Sequence, residues 1–203
     1  MNQPIVVGIT GASGAVYAVR LIELLLEAGC EVHLAISPSG KTVIAHELNL
    51  NVDLNHFLPD ALLRCSVSTS SLHYHHFTDF MAPIASGSFV TGGMVICPCS
   101  GTTLSSVARA AGTNLIQRAA EVHLKERRKL ILVPRETPLS LPQINNMKLA
   151  TEAGAIILPA MPGWYHGVNS LSDLVDFVVC RILDQLGIKT DLMQRWGDMR
   201  SRD

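Results

Sequence analysis

Three short segments of the 203-residue chain combine glycine with hydroxyl side chains, each directly after a run of apolar residues. Glycine lets backbone N–H groups approach an anion closely, and hydroxyl groups at the start of a helix add further donors. A tight turn or a plain helix N-cap would explain any one segment alone. The last segment places three hydroxyl groups beside a glycine, which favours a phosphate site. The segments are Gly11-Ala12-Ser13-Gly14, Ser37-Pro38-Ser39-Gly40 and Ser100-Gly101-Thr102-Thr103.

Several cations stand where they could meet an anionic ligand. Arg135 and Glu136 follow another apolar run and are fixed between two prolines, although a surface ion pair would also explain them. Arg118 and Lys125 are seven residues apart on a predicted helix and therefore share one face, which is more often simply solvated. Arg181 falls inside an apolar helix, so it needs an anionic partner from a ligand or a carboxylate.

Two clusters suggest a metal, but their spacing argues against one. His75 and His76 are adjacent and would diverge on a helix or a strand, although His73 lies close by. Cys97-Pro98-Cys99 is a C-x-C pattern without a second pair. The five cysteines are an odd number scattered through apolar segments, which favours reduced thiols. We therefore expect no metal site.

The elements that position these residues alternate between strands and helices. Short apolar runs predict strands at 5–9, 32–36, 94–97, 130–133 and 155–158, and helical periodicity predicts helices at 15–28, 102–111, 115–126, 141–153 and 171–186. This alternation predicts a doubly wound parallel sheet in a single domain. Residues 51–93 are less regular and are expected to hold a short helix and a long loop, and 189–203 to form a C-terminal extension.

In such a sheet the ligand lies at the carboxyl ends of the strands, where the segments above begin. A nicotinamide dinucleotide is disfavoured, because the glycines follow the spacing Gly8-x-x-Gly11-x-x-Gly14 and Ser37 stands where the fingerprint needs an acidic residue.

Composition excludes further classes. A net charge of −1 gives no excess of positive charge with which to bind nucleic acid or an anionic membrane surface. No apolar run is long enough to span a bilayer, and the first residues lack a signal peptide's basic region, so we expect a cytoplasmic protein. Only 16% of the residues are charged, against about 25% in typical globular chains. This deficit predicts that part of the surface is covered by subunit contacts.

The same residues belong to long, ordered motifs that run almost from end to end and resemble the UbiX family of flavin prenyltransferases. The motifs are Gly11-Ala12-Ser13-Gly14, Ala82-Pro83-Ile84-Ala85-Ser86-Gly87-Ser88-Phe89, Pro98-Cys99-Ser100, Asn114-Leu115, Arg118-Ala119-Ala120-Glu121, Leu124-Lys125-Glu126-Arg127-Arg128 and Leu132-Val133-Pro134-Arg135-Glu136-Thr137-Pro138-Leu139.

The resemblance implies a Rossmann-like (flavodoxin-like) fold that joins a dimethylallyl group from dimethylallyl monophosphate to N5 and C6 of reduced FMN. The product, prenylated FMN, would serve UbiD-type decarboxylases, including the one in ubiquinone synthesis. The resemblance also implies a large homo-oligomer, a dodecamer, with sites completed at subunit contacts. We expect the reaction to need no metal, because the chain has no paired D-D-x-x-D motif.

The resemblance also assigns roles by position. The FMN-binding positions are Gly11, Ala12, Ser13, Ser37, Ser100, Gly101, Thr102, Thr103 and Arg135. The prenyl-phosphate binders are Ser86, Arg118, Lys125, Tyr165 and Arg181. The catalytic groups are Ser13, Glu47, Lys125 and Glu136. Phe80 would form a wall facing the prenyl group.

Two rival functions stay open on the sequence alone. One is a flavin-dependent cysteine decarboxylase of the phosphopantothenoylcysteine type, which resembles a Pro-x-Met-Asn pattern where this chain has Pro134-Arg135-Glu136-Thr137. The other is a non-catalytic FMN carrier, in which Arg118, Lys125 and Arg181 would be surface or interface charges.

Overall fold

The computed structural model describes residues 3–63 and 67–193, and a sheet of six parallel strands lies at its centre. The strands lie in the order β3-β2-β1-β4-β5-β6, the Rossmann order, so the predicted doubly wound fold is confirmed. Their bounds are β1 Ile5–Ile9, β2 Val32–Ile36, β3 Leu72–His76, β4 Gly93–Cys99, β5 Leu130–Pro134 and β6 Ile156–Ile157.

Six α-helices cover both faces of this sheet. Buried side chains of α1, α2 and α6 pack on one face, and those of α3, α4 and α5 pack on the other. This two-sided burial explains why the central strands are continuously apolar. The bounds are α1 Ala15–Glu27, α2 Pro38–Leu48, α3 Gly101–Ala108, α4 Leu115–Lys125, α5 Leu141–Glu152 and α6 Leu171–Leu186.

The predicted helix boundaries hold best where the sequence supplies caps. The Ser170 side chain accepts from the Asp173 N–H in a capping box at the start of α6, and Gly187 ends that helix in the left-handed conformation, with φ of 80°. A second capping box, formed by Ser140 and Gln143, starts α5.

Two elements were not predicted. Strand β3 lies inside residues 51–93, where we expected a short helix and a loop; besides β3, the described part of this stretch contains short 3-10 turns at Pro59–Ala61 and Pro83–Ala85. As an edge strand with three histidines, β3 lacks the apolar pattern of a buried strand. Helix α2 was missed because only Gly40 and Ile44 are fully buried in it, so its sequence has almost no apolar stripe.

The order of the strands reverses between β1 and β4, and a buried hydroxyl group joins these strands at their carboxyl ends. Thr10 Oγ1 donates to the Pro98 carbonyl oxygen at 2.7 Å and accepts from the Ser100 N–H at 2.8 Å. Thr10 is only 2% exposed, so the bridge is protected from water. The bridge fixes the loops after β1 and β4 relative to each other.

After α6, the described residues end at 193, so most of the predicted extension at 189–203 lies outside them and stays a prediction. Among the residues that are described, no helix combines the length and the apolar character needed to cross a bilayer.

We expect Thr10→Val to lower the free energy of unfolding by about 1–3 kcal/mol, because the Ser100 N–H and the Pro98 carbonyl lose a buried partner. In a chain of this size, the melting temperature should fall by roughly 3–10 °C in calorimetry. Thr42→Val is the matched control, since the exposed Thr42 hydroxyl donates only to the Pro38 carbonyl within α2. Equal melting temperatures for the two variants would contradict the role given to the bridge.

Candidate active site

The loops that follow β1, β2, β4 and β5 meet at the carboxyl edge of the sheet, and each leads into the start of a helix, α1, α2, α3 and α5. Helix N-termini carry partial positive charge and N–H groups directed away from the helix. This edge therefore favours an anionic ligand, as the sequence predicts. We call the residues at these four loops the carboxyl-edge site.

The loop after β1 lies very close to the start of α2. A Cβ atom added at Gly11 would lie 2.5 Å from Ser39 Cβ, so a larger residue at this position would push the two loops apart. Gly14, with φ of 112°, turns the chain into α1 through a conformation that favours glycine. Both glycines thus shape a cradle of backbone at the first loop.

Glu47, near the end of α2, holds the start of α1. Its carboxylate accepts from the Gly14 N–H at 2.9 Å and from the Ala15 N–H at 2.9 Å. Partial burial opposes ionisation of this carboxyl, but these bonds, the Ser13 hydroxyl group and the charge of Arg135 together hold its pKa below the ordinary value of 4.5. Ser13, Glu47 and Arg135, which the sequence assigned to one site, therefore interact.

The predicted serines of the other two loops cap helices. Ser37 Oγ accepts from the Gly40 N–H at 3.0 Å, and Ser100 Oγ accepts from the Thr103 N–H at 3.3 Å. The Ser100 hydroxyl also donates to Thr103 Oγ1. The plain-cap alternative thus accounts for these contacts. Anion binding at the two segments rests on their backbone N–H groups and on the exposed Thr102.

Arg135 and Glu136 lie on the exposed loop after β5. Gln143, in the first turn of α5, donates from its side-chain amide to Glu136 Oε2 at 3.2 Å. The same amide nitrogen would lie 3.3 Å from a Cβ added at Gly101, so it stands between the β4 loop and the β5 loop. A small cavity beside this loop has an apolar wall that includes Met147, Pro159 and Met161.

Hydrogen bonds, one close approach and one charge interaction link the loops at the carboxyl edge through a series of residues that we call the circuit. It runs through Thr10, Ser100, Gly101, Gln143, Glu136, Arg135, Glu47 and Gly14. The circuit combines positive helix ends, one arginine, two carboxyl groups and an apolar wall. This donor set suits a ligand that has both a phosphate group and a flat apolar ring.

A second group of predicted residues lies elsewhere, beside the 3-10 turn at Pro83–Ala85. Arg118 Nε donates to the Ala85 carbonyl oxygen at 3.2 Å, and the Ser86 hydroxyl lies 2.8 Å from Ser88 Oγ. The Lys125 ammonium lies against Gly87 and pairs with Glu126. Ser86, Arg118 and Lys125 are thus brought together, as the motifs imply. We call Arg118 and Lys125, the two cations of this group that lie on α4, the α4 cation group.

Tyr165 and Arg181 lie apart from that group. Tyr165 is in the loop between β6 and α6, where its ring meets Phe177 edge-on with centroids 5.6 Å apart. Arg181 is on α6, on the sheet face opposite to α4, and its Nη1 donates to Asp184 Oδ2 at 2.6 Å. In the single chain, a carboxylate of its own helix is therefore one partner of Arg181.

The described cysteines, Cys30, Cys97, Cys99 and Cys180, are buried thiols, as predicted, whereas Cys65 lies outside the described residues. Complete burial raises the pKa of Cys97 strongly and that of Cys99 to about 12. Both stay protonated at neutral pH, so they supply neither a thiolate nucleophile nor a thiolate ligand.

Sequence reasoning missed three residues of the carboxyl-edge site. Thr10 directly precedes the first glycine segment, and its position one residue after a strand is a signal that could have marked it. Ser39 belongs to the segment Ser37-Pro38-Ser39-Gly40, but no ligand-binding role was predicted for it. Gln143 is the third helical residue after Ser140, the spacing of a capping box, yet nothing local indicates its bond to Glu136.

Comparison with known proteins agrees with this geometry. A family described as Flavoprotein matches residues 1–183. The flavin prenyltransferase UbiX of Pseudomonas aeruginosa is 47% identical over 198 residues, which cover 97% of this chain and 95% of that protein. The crystal structure of AnUbiX in complex with FMN and dimethylallyl pyrophosphate superposes with a TM-score of 0.87 at 36% identity, covering 97% of this chain and 98% of that one.

Two further structures bear on assembly and on the rival function. A dodecameric FMN-dependent UbiX-like decarboxylase from Escherichia coli O157:H7 has a TM-score of 0.85 and 37% identity, covering 96% of this chain and 99% of that one. A PPC decarboxylase mutant complexed with pantothenoylaminoethenethiol has a TM-score of 0.58 and 15% identity, covering 83% of this chain and 86% of that one. The latter likeness shows the fold alone.

We expect Glu47→Gln to lower the free energy of unfolding near neutral pH by about 0.5–1 kcal/mol, because the neutral amide interacts more weakly with the start of α1. Since the native pKa of Glu47 is lowered, its contribution is complete above pH 4.5 and disappears as the pH falls through that native pKa. Urea denaturation of both proteins across this range measures the difference.

The control is Glu152→Gln, which removes the same charge from an exposed carboxylate paired only with Lys148 in the described structure. Its deficit should be about 0.3 kcal/mol. A Glu47→Gln deficit that persists unchanged in acid would show that the carboxylate charge is not what stabilises α1.

Proposed function

The chain belongs to the Flavoprotein family and, within it, to the flavin prenyltransferases of the UbiX type, and we propose from this that the carboxyl-edge site transfers a dimethylallyl group from its phosphate to reduced FMN. The observation that carries the assignment is the pair Arg135 and Glu136 in the same circuit as three helix N-termini. This arrangement supports the binding of a phosphate-bearing ring beside a carboxyl group that could transfer a proton.

The residues of the carboxyl-edge site fit FMN. The backbone at Gly11, Ala12 and Ser13, together with the starts of α2 and α3, offers N–H donors to a phosphate, and Arg135 adds a positive charge. The close approach of Gly11 to Ser39 leaves no room for a side chain at Gly11. When bound, reduced FMN supplies N5 and C6 as the atoms that receive the prenyl group.

Allylic C–O cleavage without a metal requires protein cations at the leaving phosphate. Arg118, Lys125 and Arg181 are the cations that we assign to this task, with Ser86 and Tyr165 as hydrogen-bond donors. Positive charge that develops on the allyl group is stabilised by aromatic faces. Phe80 and Trp164 are half or more exposed in the single chain, at 50% and 70%, and are therefore available to a ligand or a neighbouring subunit.

Glu136 is the proton-transfer group in this proposal. Its carboxyl is exposed and is positioned by Gln143, so it can donate a proton to the departing phosphate oxygen and later accept one from C6. Ser13 and Glu47 interact with each other and with the charge of Arg135, and we assign them to the polar surroundings of N5. The same carboxyl thus serves both C–O cleavage and the later loss of the C6 proton.

A single chain cannot bring all of these groups together. The strands β1 and β5 have five residues each, so the amino ends and the carboxyl ends of the strands lie about 16 Å apart. Lys125 is the last residue of α4, which returns the chain to the amino end of β5, whereas Glu136 follows the carboxyl end. We therefore propose that the α4 cation group reaches the carboxyl-edge site of a neighbouring subunit, in a homo-oligomer such as the dodecamer formed by the Escherichia coli relative.

Anaerobic incubation with reduced FMN and dimethylallyl monophosphate tests the function directly. Mass spectrometry should show flavin heavier by one isoprenoid unit, and the pyrophosphate can be compared in parallel. Unchanged flavin that stays bound would favour the FMN carrier, and carbon dioxide release from a cysteine-containing substrate would favour the decarboxylase.

We also propose that prenylated FMN is passed on to a UbiD-type decarboxylase, as the family resemblance implies. Product released from this protein should activate such an enzyme purified without its cofactor. Activation by plain FMN to the same extent would remove this step.

Glu136→Gln should keep the affinity for FMN and lower turnover about 10²–10⁴-fold, because the amide can still accept from Gln143 but cannot transfer a proton. Flavin fluorescence measures binding, and single-turnover product formation measures chemistry. Glu152→Gln, with the same loss of charge far from the site, should behave as wild type. Wild-type turnover in the Glu136 variant would remove this carboxyl from the mechanism.

Co-assembly of two inactive variants tests the shared site. Lys125→Ala chains co-expressed with Glu136→Gln chains should recover about a quarter of the wild-type turnover, because a quarter of random neighbours supply both intact groups. Arg135→Ala with Glu136→Gln is the control and should recover nothing, since these residues lie on one loop of one chain. Recovery in neither mixture would place Lys125 and Glu136 in the same subunit's site.

A further inference from the structure

Four side chains form a cluster near the amino ends of β2 and β3. His33 Nε2 lies 2.9 Å from Glu31 Oε1, and His73 Nε2 lies 3.4 Å from the same oxygen. On the other side of its ring, His33 Nδ1 lies 2.8 Å from His75 Nε2. The parallel register pairs His33 directly with His73, so residues distant in sequence meet on one face of the sheet.

The spacing of these donors suits a small metal ion. The nearest ligand atoms of Glu31, His33 and His73 all lie within 4.8 Å of one another. Ligand bonds of about 2.0–2.2 Å in a tetrahedral zinc site place neighbouring ligand atoms about 3.3 Å apart. The side chains of His73 and Glu31 are 46% and 44% exposed, so they have room to rotate toward one ion. The His33 side chain is only 6% exposed, so its position is held by the residues packed around it.

His75 provides the support that a metal-binding imidazole requires. A histidine that binds a metal through Nε2 carries its proton on Nδ1 and donates it to a neighbouring acceptor. His75 Nε2 stands at that position.

We propose that Glu31, His33 and His73 bind one Zn²⁺ ion, with water in the fourth position, and that His75 positions His33. Two imidazoles and a carboxylate form a donor set that zinc accepts readily. The ion ties β3, which has a sheet partner on one side only, to β2. Its role is to stabilise the edge of the sheet.

The proposed zinc site lies apart from the carboxyl-edge site and its chemistry. His33 and His73 are the second residues of their strands, so about 10 Å of strand separates them from the carboxyl edge. This inference does not rest on the proposed function. Prenyl transfer should persist after treatment with EDTA, and its loss would contradict the metal-free reaction without affecting the binding measurement.

The test is titration of the assembled, EDTA-treated protein with Zn²⁺ in a calorimeter. We expect one ion per chain, and a melting temperature that rises by about 5–10 °C when Zn²⁺ is in hundredfold excess over Kd. Co²⁺ bound in its place should give the intense visible bands of four-coordinate cobalt. Wild-type protein without stoichiometric binding, or with the pale spectrum of hydrated Co²⁺, would overturn the proposal.

Variants locate the ion. His73→Ala and Glu31→Gln each remove a ligand and should weaken binding more than tenfold, and His75→Ala should weaken it about 10–100-fold through His33. His76→Ala is the matched control on the same strand, because His76 points away and its Nδ1 lies 2.7 Å from Thr78 Oγ1. Equal affinity for the wild type and the His73 and Glu31 variants would place the ion elsewhere and overturn the assignment.

Discussion

The hydrogen bonds of the Thr10 hydroxyl group set the geometry on which the carboxyl-edge site depends. The strand order runs outward in both directions from β1 and β4, so the loops after these two strands separate and leave a crevice. Thr10 connects the loops at the base of this crevice, through the Pro98 carbonyl and the Ser100 N–H. The starts of α1 and α3 are positioned by the same bridge, and the circuit from Gly101 to Glu136 extends from it.

The carboxyl-edge site carries charges of both signs, since the carboxyl groups of Glu47 and Glu136 lie there together with Arg135. Several helix N-termini and Arg135 converge at one edge, and Glu47 is the carboxylate that neutralises the start of α1. The N–H groups at the other helix N-termini suit a bound phosphate. The α4 cation group lies on another surface and is partly neutralised by Glu121 and Glu126 in the single chain. In the proposed homo-oligomer, a subunit contact would bring the two surfaces together, which would account for cations on an outer face of a chain so poor in charge.

Most of the fold could be predicted from the sequence because burial on both faces makes the central strands apolar and the helices periodic. Polar edge elements could not: β3 carries histidines and α2 buries little, so neither shows a hydrophobic pattern. Within the site, Gly11, Ser37, Ser100 and Arg135 follow strands and were identifiable by position. The bond from Gln143 to Glu136 joins separate loops, and the separation of Lys125 from Glu136 depends on helix direction, so neither has a local signature.

The cluster of Glu31, His33, His73 and His75 also could not be predicted from the sequence. Adjacent His75 and His76 were correctly expected to diverge, since alternate residues of a strand face opposite sides of a sheet. The spacing of histidines within one segment, however, describes only residues that are near in sequence. The parallel pairing of β2 with β3 supplies His33 from about forty residues away and aligns it with His73, while Glu31 enters from the residue before the strand. A metal-binding geometry can thus arise from strand register alone, where the spacing of a single segment argues against it.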